Sequence, residues 1–78
     1  MTTNLRETLS RIEALPDSAL LTEDEAAAFL RLAAQTLAND RSTRRLGIPF
    51  CRLGRAIRYQ KGGIAHWLDV RTVRNKAE

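Results

Sequence analysis

The stretch Pro49-Phe50-Cys51-Arg52-Leu53-Gly54-Arg55-Ala56-Ile57-Arg58-Tyr59, PFCRLGRAIRY, decides how this chain is read. Apolar and polar residues alternate on both sides of a glycine, the period of two short strands joined by a tight turn. The charged side chains in it are all arginines, Arg52, Arg55 and Arg58, with no acid to balance them. Residues directly opposite in an antiparallel pair share a face. A three-residue loop, Gly54-Arg55-Ala56, sets Leu53 opposite Ile57 and Cys51 opposite Tyr59, and so makes one apolar face. A two-residue loop sets Arg52 opposite Ile57 and mixes the faces. The expectation is therefore the three-residue loop, with Arg52 and Arg58 opposite each other on the outer face and Arg55 at the tip. Like charges in that position destabilise a hairpin, a cost that phosphates lying over the face would offset. The hairpin reads as a wing that straddles a nucleic-acid backbone.

Charge along the rest of the chain points the same way. The 78 residues carry a net charge of +4, unevenly placed. Residues 1–40 hold three basic and seven acidic side chains, whereas residues 41–78 hold ten basic and two acidic. Between Arg41 and Leu68 there is no acid, and the seven bases are Arg41, Arg44, Arg45, Arg52, Arg55, Arg58 and Lys61. Such a concentration repels itself unless an anionic partner is present, and nucleic acid is the obvious one. The alternative is a solvated basic surface.

Length allows one small domain. The single cysteine permits no internal disulfide, which suits a reducing compartment and a cytosolic location. Cys51 is expected as a small core residue. No signal-like apolar run follows Met1, and no segment approaches the ~20 apolar residues of a membrane span.

Upstream of the hairpin, Leu5, Leu9, Ile12 and Leu15 form a stripe at helical spacing, which predicts an amphipathic helix over Asn4 to Leu15. Pro16 ends it, and Pro16-Asp17-Ser18 reads as a linker. The helix packs either on its own domain or on another copy. Thr22-Glu23-Asp24-Glu25 is a capping box that predicts a helix from about Glu23 to Arg31, with Ala26, Ala27 and Leu30 inward. A break near Leu32-Ala33 leads to a second helix, Ala34 to about Arg41, anchored by Leu37. Two short helices and a tight turn, the second polar and ending in arginines, fit a helix-turn-helix. After the hairpin, Gly62-Gly63 punctuates, and Ile64 to about Val73 reads as a last helix with Ile64, Trp67 and Leu68 on one face. Trp67 is expected in the core, and His66 has no catalytic or metal-binding partner at suitable spacing.

The segment from Leu21 to Leu68 resembles the excisionase-type, MerR-like winged helix-turn-helix. The likeness runs through Leu21-Thr22, Glu25-Ala26-Ala27, Leu30, Thr36-Leu37, Ala38-Asn39, Arg41-Ser42, Pro49-Phe50, Leu53-Gly54-Arg55, Ile57-Arg58-Tyr59 and Trp67-Leu68, about two thirds of the chain. Arg31 and Ala33 stand where the family has a glycine turn and a serine cap. Gly63 stands where an aspartate commonly opens the last helix. Asp40 follows Asn39 where an aromatic is common, and an acid on a DNA-facing helix would repel phosphate.

The resemblance implies a mainly α fold with a small β-hairpin, a winged helix-turn-helix. The N-terminal helix lies outside the resemblance, so residues 1–16 are expected as a helical extension, 17–73 as the DNA-binding domain and 74–78 as a flexible tail. It implies a bacterial cytosolic protein without cofactor or metal. Such a protein binds and bends attachment-site DNA so that an integrase, of the tyrosine recombinase type, excises a mobile element. On this reading the helix from Ala34 enters the major groove. Gln35, Thr36 and Asn39 are candidate base readers, since Asn and Gln pair bidentately with adenine. Arg41, Arg44, Arg45, Arg52, Arg55, Arg58 and Lys61 are candidate backbone contacts, with Arg71, Arg74 and Lys76 possible additions. Neighbouring copies would associate head-to-tail on direct repeats. A transcription regulator of the same fold and a module for an acidic protein partner are the other readings. Catalysis is not expected, because no nucleophile–base pair, metal-ligand cluster or phosphate-cradling glycine loop is present.

Overall fold

In the computed structural model, which describes residues 5–73, four helices and three strands follow in order. They are α1 (Leu5–Glu13), β1 (Leu20–Leu21), α2 (Glu23–Leu30), α3 (Ala34–Thr43), β2 (Cys51–Leu53), β3 (Ala56–Gln60) and α4 (Lys61–Arg71). The chain is mixed: helices around a small antiparallel sheet of strand order β1-β3-β2. The expected flexible tail at 74–78, with Arg74 and Lys76, and the helix start at Asn4 lie outside the described residues.

Local signals account for the helix starts and stops. Thr22 Oγ1 accepts from the Glu25 amide at 3.2 Å, and Glu25 Oε1 accepts from the Thr22 amide at 2.9 Å. This reciprocal box satisfies two of the amides that a helix start leaves without a partner. At the other end of α2, Arg31 takes the left-handed conformation (φ 59°), and the Leu32 amide returns to the Ala27 carbonyl at 2.9 Å. That turn aims the chain straight into α3. Ala33 precedes α3 and offers no side-chain cap, as the sequence suggests.

One core gathers a residue from nearly every element. Ile12 of α1, Leu21 of β1, Ala26 and Ala27 of α2, Leu37 of α3, Tyr59 of β3 and Ile64 of α4 are buried together, with Ile48 from the loop before β2. Each fully buried aliphatic side chain is worth about 1.5–3 kcal/mol. Ile12 is wholly buried, so the N-terminal helix packs on its own domain. Its expected stripe is only partly inward, since Leu5 is exposed. Leu68 is also exposed, which corrects its expected place beside Ile64 and Trp67.

The hairpin differs from the expected register. Cys51 pairs with Arg58, Arg52 with Ile57 and Leu53 with Ala56, so the loop is the two residues Gly54 and Arg55. Gly54 has φ 64°, the left-handed first position that suits a II′ turn. The reason lies on the far side of β3. Leu21 pairs with Tyr59, which is buried, and this sets Ile57 and Tyr59 toward the core. Phe50, not Cys51, answers Tyr59, their ring centroids 6.4 Å apart. Cys51, Leu53 and Arg58 therefore share the outer face, and Cys51 is only half-buried. Arg52 and Arg58 stand on opposite faces, so the like-charge pairing does not arise.

A second correction concerns Gly62 and Gly63, which sit inside the first turn of α4 rather than before it. The strand β1 has no counterpart in the sequence reading. It is held by its pairing with β3, and the Lys61 amide donates to the Ala19 carbonyl at 2.8 Å just beyond it.

Candidate nucleic-acid interface

Helix α3 has two sides. Leu37 and Asp40 face inward, while Gln35, Asn39, Ser42 and Thr43 are exposed. The exposed positions recur at helical spacing and form a polar stripe without acid. Gln35 Nε2 donates to Asn39 Oδ1 at 3.0 Å, which orients the Asn39 amide. Beside this stripe lies an open groove of about 400 Å³, lined by Thr36, Asn39, Asp40, Thr43, Arg45 and Leu46.

Asp40 is the side chain whose place differs most from expectation. It does not point at solvent as a phosphate-repelling acid; it is 4% exposed. Its Oδ1 accepts from the amides of Leu46 (2.6 Å) and Gly47 (3.2 Å), and its Oδ2 from the amide of Ile48 (2.9 Å). The carboxylate thus organises the loop that leaves α3. Burial pushes the Asp40 carboxyl up, but these three N–H groups and the Arg44 charge outweigh it and hold the group below the ordinary carboxylate range.

Three of the expected backbone contacts are committed to the protein itself. Arg41 forms an ion pair with Glu23 and donates to Tyr59 Oη at 3.2 Å. These bonds, Tyr59 first and Glu23 second, raise its already high pKa. The guanidinium ties the start of α2 to the end of α3 and to β3, and is not offered to a ligand. Lys61 Nζ donates to the Glu13 and Leu15 carbonyls at 3.2 and 2.7 Å, closing the C-terminal end of α1. Arg44 ends α3 in the left-handed conformation (φ 56°) and donates to the Ile48 carbonyl at 3.3 Å. Its side chain stays exposed, so its charge still reaches solvent.

Of the other four bases, Arg45, Arg52 and Arg55 face solvent and Arg58 does not. Arg45 and Arg55 are exposed, and their side chains have no partner among the described residues. Arg58 is half-buried, with its guanidinium on its neighbour's carbonyl, Ile57 O, at 2.8 Å. Arg52 lies over the Phe50 ring at 5.9 Å, and Arg44 lies over the same ring at 5.3 Å. Phe50 therefore joins two cations, one from the end of α3 and one from the hairpin. Trp67, expected in the core, is only partly buried. It donates to the Leu46 carbonyl at 2.9 Å, and Arg71 stacks on it at 4.6 Å while donating to the same carbonyl.

No family model, curated protein or solved structure matches the chain. Among the described residues, no group of three or more His, Cys, Asp or Glu could hold a metal ion. No helix among them is long and apolar enough to cross a membrane.

Three positions on this surface are not legible from spacing alone: the exposed Leu46, the inward Asp40 and the internally bonded Arg41. Asp40 had a local signal: a short acid in the last turn of a helix, a few residues before Gly47, is placed to accept loop amides. Arg41 had none, because its partners lie far along the chain.

Proposed function

We propose that this chain is a non-enzymatic, winged helix-turn-helix DNA-binding protein, and specifically an architectural factor of the excisionase type. The observation that carries the reading is the convergence of Arg44 and Arg52 on Phe50. The contact brings a cation from the end of α3 and one from the hairpin to the same ring, and Arg45 lines one groove with Asn39; on this reading they form one basic surface beside the polar stripe of Gln35 and Asn39. On this reading α3 lies in the major groove and the hairpin is the wing. Arg45, Arg52 and Arg55 meet phosphates, with Arg44 beside them, while Arg58 lies on the opposite face of the hairpin from Arg52. Protein surfaces of this kind draw their affinity from neutralised phosphates and their selectivity from base edges.

The excisionase reading rests on the resemblance together with size. A single small module buries only ~600–1,000 Å² on DNA. Copies bound side by side on direct repeats would add selectivity, and small bends in phase would sum to a curved array. Such an array serves an integrase that must bring distant sites together. The test is a footprinting titration across the DNA flanking the protein's own gene, with a circular-permutation gel on the protected segment. Cooperative protection of two or more direct repeats with a net bend is expected. A lone non-cooperative footprint on unbent DNA, or a symmetric dimer on an inverted repeat, rejects the excisionase reading. Failure to bind any duplex rejects the DNA-binding reading itself.

A further inference from the structure

Resting on that DNA-binding reading, we propose that the groove beside α3 reads an A·T step: Asn39 takes an adenine edge and Leu46 takes a thymine 5-methyl group. The groove is lined by Thr36, Asn39, Asp40, Thr43, Arg45 and Leu46. Its chemistry selects a base edge over a backbone phosphate. Asp40 is among the lining residues, but its carboxylate is taken up by the loop amides, so the side chains left for a ligand are the neutral Thr36, Asn39, Thr43 and Leu46, with Arg45 the cation for a neighbouring phosphate.

Leu46 is the second observation. It is an apolar side chain 37% exposed in a loop, where nothing in the core requires it. Yet its backbone is pinned from both ends. Its amide donates to Asp40 Oδ1 at 2.6 Å, and its carbonyl accepts from Trp67 Nε1 and Arg71 Nη2, each at 2.9 Å. A surface leucine held by three bonds is presented, not left over. In a groove that Thr36 and Thr43 also line, it offers the apolar contact that a thymine methyl seeks in the major groove.

Asn39 supplies the polar half. Its Oδ1 already accepts from Gln35, which leaves one lone pair on that oxygen and both protons on Nδ2. Adenine needs one donor for N7 and one acceptor for its N6 protons, so the oriented amide fits. Guanine keeps N7 but puts an acceptor, O6, where the Asn39 oxygen needs a donor, and cytosine has no methyl, so a G·C pair satisfies the site at most in part. Gln35 acts here as a positioning residue.

The experiment begins with selection of random-sequence duplexes by the full chain. Each thymine of the recovered site is then replaced by deoxyuridine, and each adenine by 7-deazaadenine. Binding is followed by fluorescence anisotropy. Loss of the methyl at one thymine should weaken binding about fourfold, the worth of one buried carbon. Loss of N7 at one adenine should weaken it at least about fivefold. Leu46→Ala should become indifferent to deoxyuridine, while Leu46→Met should stay sensitive. Asn39→Ala should become indifferent to 7-deazaadenine, and Gln35→Ala should show a reduced sensitivity. Circular dichroism melts confirm that each variant is folded. If a site is recovered but no deoxyuridine changes affinity, or Leu46→Ala still senses one, the groove assignment falls while DNA binding stands. If no duplex is selected at all, both fall together.

Discussion

Arg41 donates to the phenolic oxygen of Tyr59, 18 residues further along the chain, at 3.2 Å. The same guanidinium pairs with Glu23, so one side chain links α2, α3 and β3. Arg41→Ala should lower stability by about 1–3 kcal/mol, since it strands a half-buried carboxylate and hydroxyl. It should leave the salt dependence of DNA binding unchanged under conditions where the variant is folded. Urea titration and binding at several salt concentrations measure the two effects. A stable variant with a flatter salt slope would return Arg41 to the phosphate contacts.

Asp40 predicts a pH dependence. Its folded pKa is depressed, so its contribution is complete above the unfolded carboxyl value of about 3.9 and is lost as pH falls through the lower folded value. Asp40→Asn removes the charge that three amides share. The stability difference between wild type and Asp40→Asn should stay constant from neutral pH down to about pH 4 and shrink below it. A difference that persists undiminished in strong acid contradicts the charge-based account.

The outward arginines predict a split between binding and folding. Arg45→Ala and Arg55→Ala should each flatten the log–log salt slope by about 0.9 and leave the melting temperature unchanged. Their side chains have no partner to lose among the described residues. Lys61→Ala should do the reverse, because Lys61 closes the end of α1. Equal slopes for Arg45→Ala, Arg55→Ala and wild type would remove these residues from the interface.

Helix α1 is expected to matter for stability and not for base preference. Ile12 is fully buried, and Ile12→Ala should cost about 2–5 kcal/mol. That is a large share of the ~5–15 kcal/mol typical of a domain. Deleting residues 1–16 should be at least as damaging. A truncation that folds normally but selects a different DNA sequence would overturn this assignment.

The two adjacent glycines of α4 should respond differently to alanine. A Cβ on Gly62 would stand 2.9 Å from Asp17 Cβ and 3.1 Å from the Asp17 carbonyl oxygen. Gly62→Ala should therefore cost about 1–3 kcal/mol as the linker is pushed away. A Cβ on Gly63 meets nothing closer than Gln60 Cβ at 3.8 Å. Gly63→Ala should be neutral or stabilising by up to about 1 kcal/mol, from helix propensity. Thermal melts of both variants provide the comparison.

The sequence by itself determined the elements that local chemistry specifies. The capping box of Thr22 and Glu25, the break near Leu32-Ala33, the anchor Leu37 and the existence of a hairpin about Gly54 follow from spacing and backbone preference within a few residues. So does the acid-free run of bases from Arg41 to Leu68. Tertiary structure decided what depends on partners far along the chain. The hairpin offered two alternating sets, and period alone favoured Cys51 with Tyr59. The pairing of Leu21 with Tyr59, and the Phe50 ring against it, chose the other register and turned Arg58 to the opposite face from Arg52. The arginines and lysine were equivalent as letters. Burial separated them: Arg41 and Lys61 found internal acceptors because folding brought Tyr59, Glu23 and the end of α1 within hydrogen-bond reach, whereas Arg45 and Arg55 were left facing water. A charge is assigned to the core or to a ligand by the low-dielectric neighbours around it, and those neighbours exist only once the chain has folded.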